Sequence, residues 1–287
     1  MLFRIIAPIV LLVPAHAGEI VWSAVREPGV GGAVTSITVN PANPRQILAA
    51  GDMLGPSFSQ DGGKSWHDSF GLENWECAEA TWKPGSKSEV WLGTMGGIYQ
   101  STDGGKNWRA RRKGLPAPET YWGYNAPIQK ILFDPADVSH LLAFGGSRRE
   151  WVNLSYAKSK YGAVWESKDG GETWAHKSTV GSGADIRSAA FAGGNPRVLL
   201  VSTRDQGIFR SDDGGSTWTS KNEGLPDRRI DVIAAHPRDP RILWCSLTAG
   251  HRSVYQSMDG GETWRWSGEG LPDDEKHPHF HSKISVA

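Results

Sequence analysis

The octapeptide SDDGGSTW, residues 211–218, recurs along the chain in a form that varies little. Four further copies share its serine, its Asp-Gly-Gly core and its final tryptophan: SQDGGKSW (59–66), STDGGKNW (101–108), SKDGGETW (167–174) and SMDGGETW (257–264). The third residues of successive copies are 42, 66, 44 and 46 positions apart. A period of about 40–45 residues built from short strands is typical of β-propellers. Each copy is called a box below, and the unit around it a blade.

The same order of short strand patterns surrounds each box. An apolar stretch splits into two strands at a Pro or Gly turn, as in IAAHPRDPRILWCSL, residues 233–247, because proline is tolerated at a turn and not inside a central strand. A third strand such as GIFRS, residues 207–211, leads into the box, and the box tryptophan opens a fourth. The chain is therefore predicted to be an all-β propeller of four-stranded antiparallel blades, with strands a to d in each and very little helix.

The box is predicted to form the tight turn between strands c and d. Asp-Gly accommodates the positive φ angles that tight hairpins require. The aspartate can accept hydrogen bonds from backbone N–H groups of its own turn, and the tryptophan places a large apolar surface on the blade. Structural roles are therefore assigned to the box aspartates and tryptophans: Asp61, Trp66, Asp103, Trp108, Asp169, Trp174, Asp213, Trp218, Asp259 and Trp264.

The N-terminal segment and the composition bound the cellular setting. Residues 1–17 are typical of a secretory signal peptide, with Arg4 before a short apolar run and a small-x-small site at Ala15-His16-Ala17. We expect residues 18–287 to form the mature propeller, secreted or periplasmic, monomeric and without membrane insertion. Lys plus Arg and Asp plus Glu balance at 31 each, which argues against a nucleic-acid partner. No cofactor is expected.

The two cysteines, Cys77 and Cys245, fall in blades that are not adjacent. Their Cα atoms are therefore expected to lie beyond the ~7 Å that a disulfide can bridge. Two buried free thiols are predicted.

The pattern S-x-D-G-G-x-[ST]-W, with Asn107 in place of the hydroxyl residue in one of its five copies, resembles the Asp-box, or bacterial neuraminidase repeat, β-propellers, and the resemblance covers the mature chain. It is specific for the fold. It implies no single function, because that superfamily includes sialidases, xyloglucan hydrolases, sortilin-type receptors and photosystem II assembly factors.

The two ends of the chain look like single strands of a blade. EIVWSAV, residues 19–25, looks like a lone strand d, and HFHSKISVA, residues 279–287, like a lone strand a. We expect five complete blades plus a partial sixth, in a six- to seven-bladed ring that continues beyond residue 287.

Candidate ligand-binding residues lie on one rim. In an a-b-c-d meander the a–b and c–d turns share a rim, and the b–c and d–a loops share the other, which is called the loop face. The long spacing between the second and third boxes places an insertion in the b–c loop 145–162. Aromatic rings there suit stacking against sugars or a partner, and arginines suit carboxylates. The candidates are Trp75, Tyr121, Trp122, Tyr124, Arg148, Arg149, Trp151 and Arg204. Alternatively, these side chains pack the long loop onto the rim.

Asp52 is the candidate catalytic residue. It follows strand b of the first blade, where sequence alignment of the blades places Thr94, Arg204 and Gly250, so the repeat does not require an acid. The stretch GVGGAVTSITVNPANPRQILAAGD, residues 29–52, is similar to the opening of xyloglucan-hydrolysing propellers, and the resemblance implies a catalytic carboxylate at Asp52. That family has two glycines soon after the acid, whereas this chain has residues 53–56 as MLGP. It also takes its second carboxylate from a second propeller. The alternative is a loop-capping acid.

Two weaker alternatives remain open. Arg148, Arg204 and Arg252 could converge as in sialidases, although the Arg-Ile-Pro-like motif of that family is missing. The alternating histidines of HPHFH, residues 277–281, could ligate a metal or form a solvated loop. The favoured function is a recognition or scaffold module that binds a glycan or protein partner on the loop face. The alternative is a glycoside hydrolase that uses Asp52.

Overall fold

The computed structural model describes residues 34–52, 55–117, 126–146, 161–195, 197–248 and 253–269. Within these ranges the chain forms twenty β-strands in five four-stranded antiparallel sheets, and the strands of every sheet follow sequence order. The helical structure in the same ranges is one 3-10 turn, Ala192–Gly194.

The strands group into blades as follows. Blade 1 contains β1 (Val34–Val39), β2 (Ile47–Gly51), β3 (Ser57–Ser59) and β4 (His67–Asp68). Blade 2 contains β5 (Cys77–Trp82), β6 (Val90–Thr94), β7 (Gly97–Ser101) and β8 (Arg109–Ala110). Blade 3 contains β9 (Ile128–Phe133), β10 (Leu141–Gly145), β11 (Ala163–Ser167) and β12 (Ala175–Thr179). Blade 4 contains β13 (Ile186–Phe191), β14 (Leu199–Thr203), β15 (Ile208–Ser211) and β16 (Thr219–Ser220). Blade 5 contains β17 (Ile230–Ala235), β18 (Leu243–Leu247), β19 (Val254–Ser257) and β20 (Arg265–Trp266).

The first strands of neighbouring blades lie side by side. The Thr81 hydroxyl in blade 2 donates to the carbonyl of Ile131 in blade 3 at 2.9 Å, and the Ser188 hydroxyl in blade 4 donates to the carbonyl of Ile233 in blade 5 at 3.4 Å. Four of the fourth strands have only two residues, and those residues are exposed. The first strands are therefore innermost and the fourth outermost. The predicted all-β propeller of four-stranded antiparallel blades is confirmed, with five blades in the described ranges.

The hydrophobic core lies between the blades. Each of four clusters of buried side chains combines residues of two neighbouring blades, because each sheet has apolar residues on both faces. Cys77 belongs to the cluster between blades 1 and 2, and Cys245 to the cluster between blades 4 and 5. Both are free and buried, as predicted, and burial raises the pKa of both thiols far above the ordinary value.

A short segment after the fourth strand joins a blade to the next one. Directly before the Gly-Leu-Pro segment 114–116 that follows β8, the carbonyl of Lys113 accepts the N–H of Trp174, the tryptophan of the next box, at 2.9 Å. Gly114 has a φ of +93° there, and a Cβ at that position would lie 1.9 Å from the Trp174 carbonyl oxygen. Gly71 and Gly224 meet the next box tryptophan in the same way. These glycines are required because no side chain fits between the two backbones.

The boxes and the a–b turns occupy the same rim. The N–H of Gly62 in the first box donates to the carbonyl of Arg45 at 2.9 Å, and Gly214 in the fourth box donates to Arg197 at 2.9 Å. The b–c and d–a connections therefore lie on the opposite rim, the loop face. The predicted strands at 19–25 and 279–287, and the total number of blades, lie outside the described residues.

Candidate functional site

The carboxylates of the box aspartates accept hydrogen bonds from residues of their own turns. In the fourth box, Oδ1 of Asp213 accepts the Ser211 hydroxyl at 2.7 Å and the Thr217 N–H at 2.9 Å, and Oδ2 accepts the Thr217 hydroxyl at 2.7 Å. The serine hydroxyl also accepts the N–H of Gly215 at 2.8 Å. Hydrogen bonds from Thr217 hold the pKa of Asp213 well below its usual range, since they favour the charged form.

The other boxes repeat this geometry. Three equivalent contacts to the carboxylate occur at Asp61, Asp103, Asp169 and Asp259, with the side-chain amide of Asn107 in place of the hydroxyl at Asp103. In the third box the hydroxyl and N–H of Thr173 lower the pKa of Asp169 to about 2. An ionised carboxylate with both oxygens engaged in this way fastens a turn and is a poor acid or base at neutral pH.

The box tryptophans fall into two groups by burial. Trp108, Trp174 and Trp264 are buried at the joints with the preceding blade. Trp66 and Trp218 are half-buried, and the Trp218 indole N–H donates to the Ser178 hydroxyl at 3.0 Å. The rings therefore pack against the blades.

Asp52 lies directly after β2, at the loop-face end of the inner hairpin of blade 1. Strand pairing defines its counterparts in the other blades, because Gly51, Thr94, Gly145, Thr203 and Leu247 occupy one register position. The counterparts of Asp52 are therefore Met95, Gly146, Arg204 and Thr248. The sequence alignment was right for Arg204 but wrong for Thr94 and Gly250, which are offset by one and two residues.

This position contacts the start of the neighbouring strand a. The N–H groups of Met95, Arg204 and Thr248 donate to the carbonyls of Glu76, Asp185 and Arg229 at 3.1, 2.9 and 2.9 Å. Asp52 and Arg204, two of the predicted site residues, are thus held at equivalent loop-face positions of blades 1 and 4. Both are half-buried. Blades 2 and 3 separate them in the order of the ring.

Polar side chains surround the inner strands at this end. Each strand a shifts register against strand b near its loop-face start, which is a β-bulge. The bulge positions of blades 3 and 4 carry Gln129 and Arg187, and both are buried. Lys130 forms an ion pair with Glu79 between the inner strands of blades 3 and 2. The loop-face end of the propeller axis is therefore polar.

Trp75 is the predicted ligand-binding aromatic that the structure describes. It lies in the d–a loop between blades 1 and 2, and 55% of the residue is exposed. Its indole N–H donates to the Leu72 carbonyl at 3.1 Å, and its Cδ1 edge faces Gly55 of the b–c loop in blade 1. A large aromatic ring that is both exposed and anchored is suited to contact with a ligand.

Two side chains of blade 2 support this loop and were missed by the sequence analysis. Tyr99 in β7 is fully buried, yet its hydroxyl accepts the N–H of Glu73 at 3.3 Å. The Arg112 guanidinium lies 5.5 Å from the centre of the Tyr99 ring and pairs with the Glu73 carboxylate. No repeat pattern marked these residues, because their contacts link the end of one blade to the middle of the next.

The remaining predicted residues lie outside the described ranges. They are Tyr121, Trp122, Tyr124, Arg148, Arg149, Trp151 and Arg252, together with the histidines of 277–281. Among the residues that the structure does describe, no group of three or more His, Cys, Asp or Glu side chains is arranged to hold a metal ion. No helix in those ranges has the length and apolar character to cross a bilayer.

Comparison with known proteins supports the fold. A family model described as Sortilin, neurotensin receptor 3 (Sortilin-Vps10) matches residues 162–272. No curated protein matches the chain. Among solved structures, the chain is similar to an ancestral GH74 enzyme, with a TM-score of 0.68 and 24% identity over 86% of this chain and 32% of that one.

Two further solved structures are similar over most of this chain. The GH74 enzyme of Niastella koreensis has a TM-score of 0.60 and 18% identity, over 81% of this chain and 38% of that one. YCF48 bound to D1 peptide has a TM-score of 0.51 and 19% identity, over 77% of this chain and 63% of that one. The chain therefore spans about a third of the length of the GH74 enzymes. Identities this low support a β-propeller fold and no particular activity.

Proposed function

We propose that the chain is an exported Asp-box β-propeller whose loop face binds a glycan or a protein partner. The observation that carries this proposal is Trp75, which is 55% exposed on the loop face although its indole N–H is bonded to the Leu72 carbonyl. The box rim is a weaker candidate because its carboxylates are engaged in turn hydrogen bonds. One similar structure, YCF48, is a propeller bound to a peptide, which is compatible with a recognition role.

The setting belongs to the same proposal. Residues 1–17 are the signal peptide, and the mature protein is secreted or periplasmic. We further propose a monomer that needs no cofactor, binds no nucleic acid and does not insert into a membrane. Balanced charge supports the exclusion of nucleic acid, with 31 basic and 31 acidic residues.

Binding to neutral oligosaccharides tests the glycan form of the proposal. Purified protein is titrated calorimetrically with xyloglucan and β-glucan oligosaccharides, and the Trp75→Ala variant is expected to lose most of the affinity. Trp266→Ala is the matched control, because Trp266 is a partly exposed tryptophan of the outermost strand of blade 5. Equal affinity in wild type and Trp75→Ala would remove the loop-face platform from the binding site.

A glycoside hydrolase is the second candidate function. Two similar structures are GH74 enzymes, and Asp52 lies at the loop-face end of β2, at the position that the resemblance to xyloglucan-hydrolysing propellers marks as catalytic. Hydrolysis with two carboxylates needs a second acid about 5–10 Å away. Release of reducing ends from xyloglucan, abolished in Asp52→Asn, would support the enzyme. Full activity in that variant would exclude Asp52 from the chemistry.

A further inference from the structure

The loop that carries Trp75 is tied to blade 2 by two side chains, Tyr99 and Arg112, which contact it at Glu73. We propose that Tyr99 and Arg112 are positioning residues, which hold residues 71–76 so that Trp75 presents a fixed platform to the apolar face of a neutral sugar. The inference rests on the glycan form of the proposed function. It assigns the part that blade 2 has in that site.

Tyr99 supports the loop from below. Its ring is fully buried in the core between blades 1 and 2, and its hydroxyl reaches the backbone of the loop, where the N–H groups of Glu73 and Asn74 face it. The phenol oxygen is an acceptor for these N–H groups, and burial raises the pKa of Tyr99 further above neutrality. A buried phenol that accepts backbone N–H groups fixes the position of the loop backbone relative to the core.

Arg112 holds the loop from the side. Its guanidinium lies over the face of the Tyr99 ring, 5.5 Å from the centroid, and pairs with the Glu73 carboxylate. The cation thus lies against a buried aromatic ring and bonds a loop carboxylate. A guanidinium that stacks and pairs at once is more restrained than a surface ion pair.

Trp75 is restrained in turn by the loop. Its indole N–H bonds the Leu72 carbonyl at 3.1 Å, and its own carbonyl accepts the Cys77 N–H at 2.9 Å. A ring that is already ordered before a ligand arrives loses less conformational entropy on binding than a mobile one. Freeing one such side chain weakens binding by about 2- to 12-fold.

The repeat does not require this arrangement. The counterparts of Tyr99, two residues before the box serine, are Ser57, Trp165, Phe209 and Tyr255. The residues four positions after the box tryptophan in the other blades are Phe70, Ser178, Asn222 and Gly268. Tyrosine and arginine therefore occur together only in blade 2, next to the exposed tryptophan.

Tyr99→Phe tests the inference because it removes the hydroxyl and keeps the ring. Binding of xyloglucan oligosaccharides is expected to weaken about 3- to 10-fold, with only a small change in Tm. Tyr255→Phe, the same change at the matching position of blade 5, is expected to leave the affinity unchanged. Combining Tyr99→Phe with Trp75→Ala is expected to add nothing to the loss in Trp75→Ala alone, because Tyr99 acts through Trp75.

A measurement without ligand makes the result independent of folding losses. In protein labelled with 5-fluorotryptophan, the resonance missing in Trp75→Ala identifies Trp75. That resonance is expected to shift or broaden in Tyr99→Phe and in Arg112→Gln, and to stay unchanged in Tyr255→Phe. An unchanged Trp75 resonance in both variants overturns the inference. So does wild-type affinity in Tyr99→Phe when Trp75→Ala has lost binding. Unaltered affinity in Trp75→Ala instead removes the Trp75 platform from the binding site, and with it the glycan form of the proposed function.

Discussion

Replacing Gly114 with alanine should separate two blades that the Gly-Leu-Pro segment joins. Gly114 has a φ of +93°, and an added Cβ would lie 1.9 Å from the carbonyl oxygen of Trp174. Gly85 offers a matched control in the a–b turn of the same blade, because its φ is +74° but an added Cβ there meets nothing within 4 Å. Both substitutions carry the cost of a left-handed backbone, and only Gly114→Ala carries the overlap.

The expected losses of stability differ by several kcal/mol. A left-handed alanine costs about 1–2 kcal/mol, which is the whole effect at Gly85. At Gly114 the forced shift of packed backbone adds about 1–3 kcal/mol, and weakening the hydrogen bond from the Trp174 N–H to the Lys113 carbonyl, 2.9 Å long, adds about 1 kcal/mol. The total of about 3–6 kcal/mol corresponds to a Tm lower by roughly 6–20 °C for a domain of this size.

Thermal unfolding followed by circular dichroism measures both changes under identical conditions. Amide exchange at Trp174, expected to accelerate in Gly114→Ala and to stay slow in Gly85→Ala, reports whether the joint itself has opened. If both variants lose the same few degrees, the joint contributes nothing beyond backbone strain, and the assignment of the Gly-Leu-Pro segment as a structural join is wrong.

Two further predictions concern polar groups that the repeat does not explain. Burial alone would raise the pKa of Glu166, but hydrogen bonds from Lys177 and His140 outweigh it and lower the pKa to about 2. Because the folded pKa lies below the unfolded value of about 4.3, Glu166 should stabilise the fold above that pH by roughly 1 kcal/mol after solvent screening, and this contribution should disappear as the pH falls towards 2. In denaturant titrations, the free energy of unfolding should therefore fall less on acidification in Glu166→Gln than in the wild type. An equal fall in both proteins would contradict the prediction. Within the described ranges neither the nitrogen nor the oxygen of the fully buried Gln129 side-chain amide has a hydrogen-bond partner. Gln129→Leu should therefore raise the free energy of unfolding by about 1–3 kcal/mol, because it removes an unsatisfied polar group. A lower urea midpoint in the variant would show that the amide is hydrogen-bonded in solution.

The sequence was sufficient to predict the blades, because the same strand pattern and the same box turn occur five times along the chain. Asp213 and its turn are specified within eight residues, so neighbouring residues alone determine the hydrogen bonds around it. Strands such as IDVIAA carry apolar residues that pack between blades, and this pattern can be recognised from the strand's own sequence. The fold was therefore readable wherever the determinants are local and repeated.

Register and side-chain clusters were less accessible. The sequence alignment made Thr94 of blade 2 the equivalent of Asp52 in blade 1, whereas strand pairing shows that the equivalent residue is Met95. Bulges near the start of every strand a insert a residue on one strand only, and a pattern of apolar letters does not show which strand has it. The contacts of Tyr99 with Glu73, which lie 26 residues apart, likewise depend on how two blades dock.

Residues that depart from the repeat are therefore the best candidates for functional residues on the loop face. The box and the Gly-Leu-Pro segment recur because each blade must close its turn and join its neighbour, and these tasks occupy the box rim and the outer joints. Asp52 stands where other blades have Met95, Gly146, Arg204 or Thr248, so blade construction does not explain its carboxylate. Arg112 and Trp75 depart from the repeat in the same sense, and both lie in or against the loop between blades 1 and 2. Residues that blade construction does not require and that gather against one loop are candidates for a binding surface, because binding residues lie mostly on loops held by a rigid scaffold.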